Sequence, residues 1–146
     1  YLEGVENRSQ VGEFTVVSAS ASAFHIKQIV KFRTSLIAIA HSAGDAGAAY
    51  ATFAGVETDR FRYLAGEEDI KIYASSGDHE RVFCGNCGSN ILVSLKDDSE
   101  VLYLSMGAID GNPNLPEAYH IFVSSKAPWH EITDGFVQYN EAPPEL

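Results

Sequence analysis

Apolar residues fall along this chain in short runs, some alternating with polar residues and some continuous, dominated by β-branched and aromatic side chains. That pattern predicts strands rather than helices. The predicted strands are Glu13–Val17, Ala23–Phe32, Ser35–His41, Tyr50–Val56, Arg60–Leu64, Ile70–Tyr73, Glu80–Phe83, Asn90–Leu95, Val101–Met106 and Tyr119–Ser124. Alternation in Phe24-His25-Ile26-Lys27-Gln28-Ile29 and Asp69-Ile70-Lys71-Ile72-Tyr73 predicts one buried and one wet face. Asp97-Asp98-Ser99 and Gly111-Asn112-Pro113-Asn114 are turn signals. No segment carries a helical stripe of more than about two or three turns. Ala40–Ala49 is rich in small residues and reads equally well as a short helix or a loop. The tail Ala142-Pro143-Pro144-Glu145 is expected to be extended and mobile. With no repeat and no internal linker, residues 1–146 read as a single domain.

A chain of 146 residues, 45% hydrophobic and 11% aromatic, is long enough to build a core without disulfides or metal. Twenty acidic residues against 10 basic ones give a formal charge of −10. Nucleic acid and anionic membranes both demand clustered Lys and Arg, so neither is an expected partner. No apolar run reaches the ~18 residues that a membrane-spanning helix needs. Two cysteines at x-x spacing do not make a secreted disulfide framework, and the expected compartment is the cytoplasm. A small molecule is the expected partner, and a homodimer fits as well as a monomer.

The chemistry concentrates in Phe83-Cys84-Gly85-Asn86-Cys87-Gly88-Ser89-Asn90. Cys-Gly-x-Cys-Gly is half of a zinc knuckle: its glycines let the backbone turn tightly beneath two thiolates. A closed structural zinc needs four ligands, and Cys84 and Cys87 are the only cysteines in the chain. Either histidines or carboxylates supply the rest, or the loop persists without its metal.

The stretch from Ser76 to Asn90 resembles the glutathione-dependent formaldehyde-activating enzyme family, also called centromere-protein-V-like. Leu104-Ser105-Met106-Gly107-Ala108-Ile109-Asp110 and the stretch from His120 to Trp129 resemble it too. So do the stretch from Asp59 to Glu67 and Ile132-Thr133-Asp134-Gly135, and the likeness runs in consistent order over roughly residues 17–140. The resemblance implies a mainly β fold, the β-tent (Mss4-like), with small antiparallel sheets around zinc and few or short helices. It also implies carbon–sulfur lyase chemistry, joining glutathione to an aldehyde at a catalytic zinc.

This sequence departs from that pattern at the ligands. Aligned backward without gaps from Ala48, the family's Cys-x-Cys-x-x-Cys triplet for the catalytic zinc falls on Ile37, Ile39 and Ser42. The early cysteine pair falls on Ala19 and Ala21. Isoleucine cannot coordinate a metal, so no zinc cofactor is expected. If any metal is held, Cys84 and Cys87 would hold it, and His25 and His79 lack a spacing that would complete the shell. Apolar volume is the expected filling of the vacated centres.

Five histidines offer other chemistry. His41 stands four residues before Asp45 beside the lost triplet. If the segment between them is a helical turn, the carboxylate would fix the tautomer of the imidazole and make it a general base. A surface histidine in a polar loop is the plainer reading. Ser42 joins these two as a candidate, and Ile37, Ile39, Tyr50 and Phe53 would wall an apolar cleft. His120 is either a catalytic group or a hydrogen-bonded core histidine. Trp129 either packs the end of the last strand or lines a pocket. His25 is expected in solvent, His79 in a loop, and Asp110 and Asp134 in turns. No Gly-x-Ser-x-Gly and no phosphate-cradling glycine loop occurs. The expectation is an enzyme with metal-independent acid–base chemistry of lyase, dehydratase, isomerase or cyclase type, of a kind that suits secondary metabolism, or a non-catalytic binding or scaffold protein.

Overall fold

The computed structural model describes residues 12–17, 25–30, 32–38, 47–63, 66–109, 115 and 117–144. Ten strands run through them: β1 Gly12–Val17, β2 His25–Val30, β3 Phe32–Ala38, β4 Ala51–Glu57 and β5 Ile70–Ala74. The others are β6 His79–Cys84, β7 Asn90–Leu95, β8 Val101–Ser105, β9 Ala118–Ile121 and β10 Val137–Gln138. The helices among the described residues are short 3-10 turns at Thr58–Arg60, Glu67–Asp69, Met106–Ala108 and Val123–Ser125. The chain is mainly β with few, short helices, as the hydrophobic pattern predicts. No helix among the described residues is long and apolar enough to cross a membrane.

Eight strands form one sheet in the order β10-β9-β3-β4-β8-β7-β6-β5, and β1 and β2 pair separately as an antiparallel hairpin. β5 to β8 are an antiparallel meander, and β8 continues antiparallel onto β4. β9 and β10 add in parallel beyond β3. The central strands bury both faces. One face holds Val56, Val82, Cys84, Leu92 and Leu104, overlaid by Phe61 and Tyr63. The other holds Val101, Tyr103 and Ile121, packed against Phe53, Val93 and Tyr139. A register shift between Val82 and Phe83 skips Ile91 in the β6–β7 pairing, so Ile91 and Leu92 are both buried despite being neighbours.

Several strand boundaries differ from the sequence reading. Ala23–Phe32 and Ser35–His41 become β2 and β3, with Phe32 already inside the second. No Gly, Pro, Asn or Asp marks that break. Arg60–Leu64 is not a strand in the described part: a 3-10 turn ends at Arg60, and Phe61 and Tyr63 follow as a covering loop. Their alternation reflects burial against the sheet without pairing. Tyr119–Ser124 stops at Ile121 because Phe122 takes a left-handed conformation (φ 57°), which breaks a ladder. His79 is the first residue of β6, the strand that leads into the cysteine turn, so it belongs to the strand rather than to the loop before it. Ile72, expected on a buried face, is 63% exposed because β5 is the sheet's edge and nothing described covers it. The side chain of His25 lies outside the described residues.

Candidate functional site

A cavity of about 360 Å³ opens at the end of the sheet where β8 gives way to the Met106–Ala108 turn, between the starts of β4 and β7. Tyr50, Thr52 and Phe53 border it from β4 and the residue before it. Ser89, Asn90 and Arg81 border it from the side of β6 and β7, and Ser105 from β8. Of the sequence-predicted residues, Tyr50 and Phe53 therefore meet in one cavity. Thr52, Arg81, Ser89, Asn90 and Ser105 were not anticipated. Arg81, Ser89 and Asn90 belong to the β6–β7 hairpin, and only the strand order brings them beside Thr52 of β4 and Ser105 of β8.

The cysteine turn lies beside this cavity. Gly88 N–H donates to Cys84 C=O at 2.8 Å, and Cys84 N–H donates to Ser89 C=O at 2.9 Å, closing the loop between β6 and β7. Gly88 has φ +75°, a conformation that glycine adopts without cost. Its two thiols have different surroundings: Cys84 is fully buried in the core, and Cys87 is exposed, with its Sγ 3.2 Å from Ser89 Oγ. Among the described residues no cluster of three or more His, Cys, Asp or Glu stands ready to hold a metal ion. His79 is at the opposite end of β6 from Cys84, roughly 16 Å away along the strand. Its Nδ1 is instead 2.8 Å from Asp78 Oδ1. The described donors thus do not fit a closed zinc site.

His120 stands opposite Ile37 in the parallel β3–β9 register, and Ile37 stands opposite Thr52 in the β3–β4 register. His120 is 3% exposed. Its Nε2–H donates to the Asp134 carboxylate at 2.8 and 3.0 Å, and its Nδ1 is buried without a described partner. Phe136 N–H donates to the same carboxylate at 3.1 Å. The hydrogen bond from His120 holds the Asp134 carboxyl below its usual range, helped by the Phe136 amide and opposed by desolvation. Asp134 looked like a turn residue in sequence. Its partnership with His120 spans a separation that no local motif reports. Ile37 is half-buried.

Trp129 is 73% exposed and borders a separate shallow groove with Lys126 and Ile132. Its neighbour His130 packs its ring against Tyr50, with centroids 5.3 Å apart, so this loop reaches the rim of the cavity. Ile39, His41, Ser42 and Asp45 lie outside the described residues, as do Ala19, Ala21 and Asp110.

Fold and site together define a small β-sheet protein with a Cys-x-x-Cys turn at the edge of a cavity. The sequence model of the family described as "Glutathione-dependent formaldehyde-activating enzyme" matches residues 41–125, more than half of the 146-residue chain. The chain belongs to that family. No curated protein matches it.

Proposed function

We propose that this family member is an enzyme that carries out metal-independent acid–base chemistry on a small organic molecule, as a lyase, dehydratase, isomerase or cyclase. The cavity bordered by Ala48 and by Tyr50–Phe53 carries this reading, because these residues follow shortly after the segment from His41 to Asp45 in sequence. Three peptide units separate Asp45 from Ala48, so their Cα atoms are at most about 11 Å apart. In this reading His41 is the general base, Asp45 fixes its tautomer and Ser42 offers a hydroxyl nearby. Tyr50 and Phe53, joined in this reading by Ile39, supply apolar walls that exclude water and strengthen the polar contacts within, whereas Ile37 is not among the lining residues. Trp129 contributes at the rim through His130. His120 orients the loop that carries Asp134 and does not take the proton: a base must reach its substrate, and this imidazole has one nitrogen bonded and the other sealed.

The test is a small-molecule screen read by mass spectrometry on chelator-treated protein. Turnover that survives chelation and falls by about 10²-fold or more in His41→Asn or Asp45→Asn supports the assignment. Turnover restored only by added zinc, or unchanged in both variants, overturns it. A second reading, a non-catalytic binding protein, has one observation in its favour: the described cavity lining contains no His, Asp or Glu. It predicts a ligand recovered unchanged. Localisation to the cytoplasm and a homodimeric state accompany the proposal.

A further inference from the structure

The cavity has aromatic side chains at one side and a guanidinium at the other. Phe53 pairs with Ser105, Tyr103 with Val93, and Val93 with Arg81, so these side chains share one face of the sheet. Phe53 on β4 and Arg81 on β6 are three strand spacings apart, roughly 14 Å between backbones, narrowed from both ends by their side chains. Tyr50 and Phe53 lie toward β4 and Arg81 lies toward β6. Thr52 on β4, Leu92, Val93 and Asn90 on β7, Ser89 just before it and Ser105 on β8 complete a mixed lining. Arg81 is the one charged residue in the described lining, and it is half-buried, where its field is less screened than at the surface. It also interacts within the protein. A guanidinium has five N–H donors in a planar fork, enough to keep one partner and receive a carboxylate. No described carboxylate lines the cavity to receive an ammonium group.

We infer that the cavity binds a small organic acid with an apolar body, its carboxylate on Arg81 and its body against Phe53 and Tyr50. A volume of about 360 Å³ suits a molecule of that size. The inference deepens the reading above and rests on this cavity being the substrate site, but binding is measurable without turnover. That separates its failure from the failure of the acid–base assignment.

The experiment is calorimetric titration of the full chain with 3-phenylpropanoate, its neutral amide and propanoate, with amide NMR shifts locating the site. The acid is expected to bind with shifts at Phe53, Ser89, Asn90 and Ser105. The amide and propanoate should each bind at least about tenfold more weakly, for loss of the charge-assisted hydrogen bonds and of the apolar contacts respectively. Arg81→Gln should reduce binding of the acid to that of the amide, and Arg81→Lys should retain part of it. If Arg81→Gln does not fold, comparing acid with amide on the native protein decides alone. Equal binding of acid and amide, no binding of the acid, or shifts confined to the Trp129 groove would overturn the inference.

Discussion

Asp134 shows how a single residue can tie a loop to the sheet. Its carboxylate accepts from buried His120 and from the Phe136 amide, and its pKa is lowered mainly by the first of these. A carboxyl with a lowered folded pKa stabilises the fold above its unfolded pKa, and that stability is lost as pH falls through the folded value. Melting temperature should therefore drop on acidification below about pH 4, and Asp134→Asn should flatten that limb. An identical acid limb in the variant would refute the clasp. Tyr63 gives the alkaline counterpart. Burial first, and the charge of Glu67 second, push its pKa up to about 12 from 10.0. A raised phenol pKa stabilises the fold fully below the unfolded value, and the contribution fades as pH rises toward the folded one. Ultraviolet titration should show a late-ionising tyrosine component, and Tyr63→Phe should reduce it by one residue's absorbance. Both groups were present in the sequence, yet neither perturbation was legible there. Asp134 meets a histidine 14 residues away, and Tyr63 was read as part of a strand when it covers the core.

At the scale of elements, the cysteine turn was the clearest sequence signal, and its glycines differ in what they do. Gly85 N–H donates to Asp69 C=O at 2.7 Å, docking the turn on the start of β5. A Cβ there would come within 2.9 Å of that same carbonyl and 3.0 Å of Lys71 Cγ. The lysine can swing away, but the backbone cannot. Gly85→Ala should cost about 1–3 kcal/mol in urea unfolding, as overpacking does. Gly77, which has open space around it, is the control, and Gly77→Ala should stay within about 0.5 kcal/mol. Equal midpoints for the two variants would show that the turn is not docked. The central strands β4, β6, β7 and β8 were readable because alternation and aromatic content agree with burial there. Boundaries failed where no turn residue announced them, as between β2 and β3. They also failed where backbone conformation overrode composition, as at Phe122. The cavity-lining polar groups were illegible for a related reason: strand order is a long-range property, and each residue alone looks like an ordinary strand or turn residue.

At the scale of the whole molecule, we propose that hydrocarbon packing, and not a thiolate cage, supports this scaffold. Cys84 is packed among Val56, Val82, Ile91, Leu92 and Leu104, while Cys87 faces solvent. A structural zinc contributes folding energy outright and would make both thiols equally necessary. Hydrocarbon packing makes them unequal. Cys84→Ser would bury a hydroxyl without an assured partner and should cost about 1–3 kcal/mol. Cys87→Ser should change stability by no more than about 0.5 kcal/mol. Chelation should leave the melting temperature of the native chain unmoved, and elemental analysis should find no stoichiometric zinc. If chelation instead lowers that temperature and the two serine variants lose stability alike, the sheet stands on metal. The altered chemistry proposed for the cavity then loses its premise, because a family member with an intact cage has no reason to have moved its catalysis to side chains.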